Sequence, residues 1–366
     1  MKKLFAILLC VCLMLSVVAC APATTNTPTT GTTEPATDPA PTEAEYKLGM
    51  GVVVSTASSA TGNAQVDATV AAVVTDKDGK IVAARIDVAQ NKFDLTADFA
   101  TEVAKTFETK MELGSRYGME GKVDNDGNGV MLEWDAQAKA FETYVVGKTS
   151  AEVNSIELQE AGGHQIAVDK TLLDAGCSMQ ITDFIAAVVK ACNDEQGMTF
   201  KTAETFTLGV AAKTTAAESV AATADADGTI KMYSDFAANV VAGDKIIAAV
   251  NDAIQPNIAV NTLGDIIAAE FKGTKRELKE GYNMAAFGQS MDWNGDGKVL
   301  EWYLQSAEFS KFVVGKTAAE VEAMATKEVE GAGYIISADE DLLSAGCTIQ
   351  ITAIKAVVAQ AAKNAR

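Results

Sequence analysis

Lys80-Ile81-Val82-Ala83-Ala84 returns 165 residues later as Lys245-Ile246-Ile247-Ala248-Ala249, each block followed by an Asp (Asp87, Asp252) and a Gln (Gln90, Gln255). The correspondence continues along the chain. Thr109-Lys110-Met111-Glu112-Leu113 matches Thr274-Lys275-Arg276-Glu277-Leu278, and Leu132-Glu133-Trp134 matches Leu300-Glu301-Trp302. Val145-Val146-Gly147-Lys148-Thr149 returns as Val313-Val314-Gly315-Lys316-Thr317, and Ala175-Gly176-Cys177 as Ala345-Gly346-Cys347, now at an offset of 170. So little drift over so many blocks marks one structural unit written twice in tandem. The copies are assigned to residues 46–195 and 198–366, with Glu195-Gln196-Gly197 at their boundary.

Each copy places strands before helices. Residues 65–75 and 80–88 are rich in Val, Ile and Ala around the turn signal Asp76-Lys77-Asp78-Gly79, and residues 229–242 and 245–251 flank Gly243-Asp244. Helical patterns follow over 99–113, 132–145 and 181–192, and over 262–280, 299–314 and 349–362. Thr149 with Glu152, and Thr317 with Glu320, have capping-box spacing. This order predicts an α+β fold: a tandem duplication of a mainly antiparallel sheet with helices packed on one face, each copy long enough for its own core.

The 366 residues carry a net charge of −19, which excludes nucleic acid and anionic headgroups as partners and is compatible with cations. Cysteines beyond residue 20 number three (Cys177, Cys192, Cys347), too few for a disulfide framework, and His164 is the single histidine. No nucleophile–base pair is legible, so the expectation is a non-enzymatic protein. Gly147-Lys148-Thr149 and Gly315-Lys316-Thr317 are not phosphate loops, because Glu142 and Ser310 stand where the first glycine is required.

At the start, Lys2 and Lys3 precede an apolar run over 4–18 that ends in Val17-Val18-Ala19-Cys20. The run is short for a membrane span and small residues precede the cysteine, which fits a cleaved leader over 1–19. The ending resembles the lipobox of bacterial lipoproteins, which implies a lipid on Cys20. Residues 20–45, rich in Thr and Pro, read as an extended tether. The expected location is outside the cytoplasm, at the cell surface, held to the membrane by the lipid alone.

Two loops carry the sharpest chemistry. Asp124-Asn125-Asp126-Gly127-Asn128-Gly129-Val130 and Asp292-Trp293-Asn294-Gly295-Asp296-Gly297-Lys298 present oxygens at alternate positions before a glycine. Such spacing suits calcium, a hard cation that takes about six to eight oxygens. The expected ligands are Asp124, Asp126, Asn128 and the Val130 carbonyl, then Asp292, Asn294, Asp296 and the Lys298 carbonyl. The closing acid of an EF-hand loop falls on Asp135 in copy one but on Tyr303 in copy two. Glu133 and Glu301 are therefore the expected closing ligands. In this the loops resemble the shortened EF-hand-like loops of Excalibur-type proteins. Trp134 and Trp302 are expected to anchor the next helix in the core.

The last block of each copy, Leu172-Leu173-Asp174-Ala175-Gly176-Cys177-Ser178 and Leu342-Leu343-Ser344-Ala345-Gly346-Cys347-Thr348, runs toward the final helix. It resembles the C-terminal motif of FMN-binding domains of exported redox proteins, with cysteine in place of the motif's alanine. That resemblance implies FMN joined through phosphate to Thr348 and Ser178, beside Gly346 and Gly176, and a role in extracytoplasmic electron transfer with a redox partner. The alternative is a calcium-stabilised surface binding or scaffold lipoprotein without redox activity.

Overall fold

In copy one, β1 (Ala44–Ser55), β2 (Asn63–Asp76) and β3 (Ile81–Asp94) form an antiparallel meander. In β2, Val66, Ala68, Val70, Ala72 and Val74 enter one buried cluster while Ala71 and Val73 enter another, the period-two signature of a strand covered on both faces. The chain continues through α1 (Phe99–Val103), α2 (Lys110–Leu113), α3 (Trp134–Val145) and α4 (Ser150–Asn154). A hairpin of β4 (Leu158–Ala161) and β5 (His164–Ala167) precedes α5 (Lys170–Asp174) and α6 (Thr182–Cys192). The computed structural model describes residues 42–366 apart from Val123 and the Gln289 side chain, and Thr42–Arg366 is one compact unit. The segment expected to be a leader, Cys20, and the expected tether up to residue 41 lie outside the described residues.

Copy two opens with β6 (Met198–Thr202), which pairs not with its own copy but with β1, giving a sheet of order β3-β2-β1-β6. Then come β7 (Thr207–Thr215), β8 (Gly228–Ile230), β9 (Tyr233–Ala242), β10 (Lys245–Ile254), β11 (Asn257–Val260) and β12 (Ile266–Glu270). Strands β10-β9-β7 repeat the meander of copy one, and β12-β11-β8 form a small added sheet. The remainder is α7 (Lys275–Leu278), α8 (Trp302–Phe312), α9 (Ala318–Glu322), β13 (Thr326–Val329), β14 (Tyr334–Ser337), α10 (Glu340–Ser344) and α11 (Thr352–Lys363). The fold is α+β, with 28% helix and 33% strand.

The layers follow from which side chains share a core. Leu48, Met50, Val52 and Val70 from copy one meet Leu208, Val210, Phe236 and Val240 from copy two in a cluster between the sheets. The opposite face of each sheet packs on its own helices, with Phe141 and Phe184 in copy one and Phe309 and Ile354 in copy two. Each copy therefore has one core of its own and shares a second, so the sequence boundary is not a line across which packing stops.

Glycine sets how closely the last helix of each copy approaches its sheet. A Cβ on Gly51 would lie 2.2 Å from the Ala187 carbonyl oxygen, and one on Gly209 would lie 1.9 Å from that of Ala361. Bare backbone at these strand positions lets α6 lie against β1 and α11 against β7.

Several sequence expectations change. The single helix expected over 262–280 is not formed; the turn closed by Asn261 Oδ1, which accepts from Leu263 N and Asp265 N, leads into β12, and helix starts only at the short α7, followed by a 3-10 turn over Lys279–Tyr282. The helix expected over 99–113 breaks into α1 and α2. Ala44 and Glu45, expected to belong to the tether, pair with β6. The Gly-Lys-Thr blocks tie the strand that follows each hairpin turn to the end of a helix. Ile81 N donates to Lys148 O and Gly147 N to Ile81 O, and Ile246 and Gly315 repeat this with Lys316. The expected capping boxes at Thr149 and Thr317 are formed.

Candidate metal loops and their buttress

The loops occupy the connection that leads into α3 and α8. Gly127 and Gly129 have φ of 71° and 79°, and Gly295 and Gly297 have 74° and 80°, the left-handed conformation that glycine adopts without penalty. This curls the chain so that its amides turn onto the first aspartate. Asp124 accepts from Gly127 N at 2.8 Å and Gly129 N at 3.0 Å, and Asp292 accepts from Asp296 N at 3.1 Å and Gly297 N at 2.8 Å. Alternate side chains converge as the spacing requires. Asn128 Nδ2 donates to Asp126 Oδ2 at 2.8 Å, and Asn294 Nδ2 donates to Asp296 Oδ2 at 3.0 Å. Asp126 Oδ1 is buried and has no hydrogen-bond partner among the described residues. A cleft of about 410 Å³ beside the first loop also brings Glu160 and Asp174 alongside Asp126.

The closing glutamates do something other than expected. Both oxygens of Glu133 accept from backbone, from Met119 N and Trp134 N on one side and Met119 N and Glu120 N on the other. Glu301 accepts from Met284 N and Ala285 N. Burial alone would raise the Glu133 carboxyl, but the N–H donors outweigh it and hold it below its ordinary range. Each glutamate clamps the segment before the loop to the helix after it, so the carboxylates expected to close a metal site at Glu133 and Glu301 are here engaged by backbone N–H groups. Among the described residues no group of three or more His, Cys, Asp or Glu is arranged to hold an ion. The oxygen-bearing side chains at alternate positions of each loop are two acids and one amide, with the Val130 and Lys298 carbonyls next in the chain. Hard oxygen donors fit calcium.

The block read as a flavin motif belongs to the same site. Gly176 (φ 90°) packs so closely on Leu132 that a Cβ would lie 2.4 Å from Leu132 Cδ1, and Gly346 stands likewise against Leu300 at 2.7 Å. Asn125 Nδ2 donates to Ser178 O at 2.8 Å, and Asn294 Nδ2 to Leu343 O at 2.9 Å. The fully buried Gln137 completes the join: its Oε1 accepts from Ser178 N and Met179 N, and its Nε2 donates to Leu132 O. Gln305 does the same with Thr348 N and Leu300 O. The Ala-Gly-Cys blocks are thus the wall against which the loops rest.

That placement does not fit an attached flavin. Ser178 is fully buried and Thr348 is 4% exposed. Neither is at a helix start, since α6 begins at Thr182 and α11 at Thr352. Burial pushes the Cys177 and Cys347 thiols up to about 12, where they are inert toward redox exchange. His164 is exposed on β5.

Trp134 and Trp302 are buried as expected, at 2% and 3% exposure. Each ring also faces a lysine: Lys110 Nζ lies 4.7 Å from Tyr117 and 5.6 Å from Trp134, and Lys275 Nζ lies 4.9 Å from Tyr282 and 5.0 Å from Trp302. The residues that sequence reading missed are Gln137 and Gln305. Their matching positions in the two copies, each three residues after the buried tryptophan and four before the buried phenylalanine, were the available signal.

A scan against protein-family models, a search of curated proteins and a search of solved structures each return no match.

Proposed function

We propose that the chain is a lipid-anchored extracytoplasmic protein that uses its two loops to bind calcium as structural ions, and that it serves as a surface binding or scaffold protein. The observation that carries the reading is Asp126 Oδ1, a buried carboxylate oxygen with no donor among the described residues, in a loop where Asp124 and Asn128 lie beside it in the chain at alternate positions. A divalent cation would satisfy it and neutralise the acids beside it. The repeat of the same curl at Asp292, Asn294 and Asp296 supports the same ion in copy two. Held between the Glu133 clamp and the Gly176 wall, a bound ion would fix the start of α3 to the block before α6. Lipid attachment at Cys20 rests on the leader pattern.

Thermal unfolding with added calcium tests the reading. For a site with a dissociation constant near 1 mM, about 10 mM calcium stabilises by roughly 1.4 kcal/mol, so two sites raise the melting midpoint by a few degrees. The Asp124→Ala, Asp292→Ala double variant should lose that rise. An unmoved midpoint in the natural sequence, or an equal rise in the double variant, rejects calcium. The redox rival, a flavin on Thr348 or Ser178, requires exposure of buried hydroxyls. It returns if protein from its native host absorbs at roughly 450 nm, as flavins do.

A further inference from the structure

The segments that follow α6 and α11 each return along the first strand of the meander that their helix covers. Met198 pairs with Leu48 on β1, and Arg366 N donates to Leu208 O on β7. Leu48 and Leu208 are equivalent, because each precedes the glycine on which the last helix of its copy rests, Gly49 under Ala191 and Gly209 under Ala361. Met198 and Arg366 therefore hold equivalent places, and each borders a cleft between the third strand of a meander and the helix on it.

The two clefts are lined differently. In copy one, Arg366 Nη2 donates to the buried Glu142 at 3.1 and 3.2 Å, and Arg85 Nη1 donates to it at 3.4 Å, so the guanidinium groups plug the space. In copy two the repeat register puts Ser310 where copy one has Glu142 and Val250 for Arg85, and Met198 takes the place beside the first strand that Arg366 has in copy one. The result is a cleft of about 500 Å³ that includes Met198, Val250, Ala307, Ser310, Lys311 and Val314 in its lining. Ser310 is 4% exposed and its Oγ accepts from Asn251 Nδ2 at 2.7 Å. Among the described residues its hydroxyl makes no bond as a donor. The charged side chains that line the cleft are Arg276 and Lys311, both basic, in a chain of net charge −19. Arg276 is held by Asp194 in a buried ion pair. Lys311 is tied only to Glu308 through an exposed pair, a weak link that a ligand can replace.

We propose that this cleft binds a small amphipathic carboxylate, with an apolar body against Val250, Ala307, Val314 and Met198. Its carboxylate accepts from the Ser310 hydroxyl and the Lys311 ammonium. A mainly apolar cleft of this size with a few polar groups is the usual form of a small-molecule site.

The probe is phenylacetate, with 2-phenylethanol and phenethylamine as neutral and cationic counterparts, followed by methyl NMR of the full chain. Phenylacetate should give saturable shifts at Val250, Ala307 and Val314 with a dissociation constant on the order of 1 mM. The alcohol and the amine should bind at least about fivefold more weakly. Lys311→Gln should weaken phenylacetate about fivefold, and Ala307→Trp, at an exposed position, should abolish binding with the melting midpoint unchanged. If Ala307→Trp fails to fold, the solvent-exposed Lys311→Gln carries the test. Absence of saturable shifts, binding that survives both variants, or an amine or alcohol equal to the acid overturns the proposal.

Discussion

Arg366→Ala should destabilise the protein in a way that depends on Glu142 and on pH. The Glu142 carboxylate is 2% exposed and takes bonds from Arg366, Arg85 and Ile86 N. A charge-assisted bond to a buried group is worth about 1.5–3 kcal/mol. The Arg366 side chain is 40% exposed, so solvent screening reduces its share to about 1 kcal/mol. Burial raises the Glu142 carboxyl, and Arg366 and Arg85 oppose that rise. A carboxyl raised on folding contributes stability that is present below its unfolded value, about 4.3, and lost as pH rises through its folded value. Without Arg366 the folded value climbs further, so the deficit should be small near pH 4.5 and largest at pH 8. Urea unfolding of the natural sequence, Arg366→Ala, Glu142→Gln and the double variant measures the coupling directly. A coupling below about 0.3 kcal/mol, or a deficit independent of pH, would refute the reasoning.

Three further outcomes are expected. Gly51→Val should cost at least about 3 kcal/mol in chemical denaturation, because its Cβ would fall on the Ala187 carbonyl and α6 would have to lift from β1. Gln137→Leu should cost about 2–3 kcal/mol by orphaning the N–H groups of Ser178 and Met179, and should also weaken any calcium-induced rise in midpoint. Burial pushes Asp87 and Asp252, equivalent in the two copies, up to about 6. Raised carboxyls stabilise below their unfolded value and lose that contribution as pH rises through 6, so the melting midpoint in chelator should fall between pH 5 and 7.5. Asp87→Asn with Asp252→Asn should flatten that slope.

The duplication, the α+β class and the loop curl were legible because each rests on local spacing: repeated blocks, strand-then-helix order, glycine at the turning positions. β1 was not, since Gly49 and Gly51 dilute its apolar pattern and their value appears only when α6 lies on them. The shared core was hidden for a related reason. Strands covered on both faces lose the polar alternation that reveals a face, and nothing local says that the second cover is the other copy. Residues 262–280 carry a helical pattern, but the Asn261 turn and the pairing of β12 with β11 override it. At the loops, the spacing picked out the side chains that turn toward one another, Asn128 with Asp126 and Asn294 with Asp296, but not the backbone clamp made by Glu133 and Glu301. Their partners are amides of a segment fourteen and seventeen residues before them, beyond the reach of motif spacing.

The crossing of β6 onto β1 bears on how such a chain could arise. A polypeptide holding one copy alone would leave Leu48, Val66 and Val70 facing water, and two of them would close on each other to hide that surface. The present molecule has the form of such a homodimer with its subunits fused end to end. Fusion frees the halves to diverge: Arg366 could bolt one cleft shut while the other, no longer bound to be identical, stayed open.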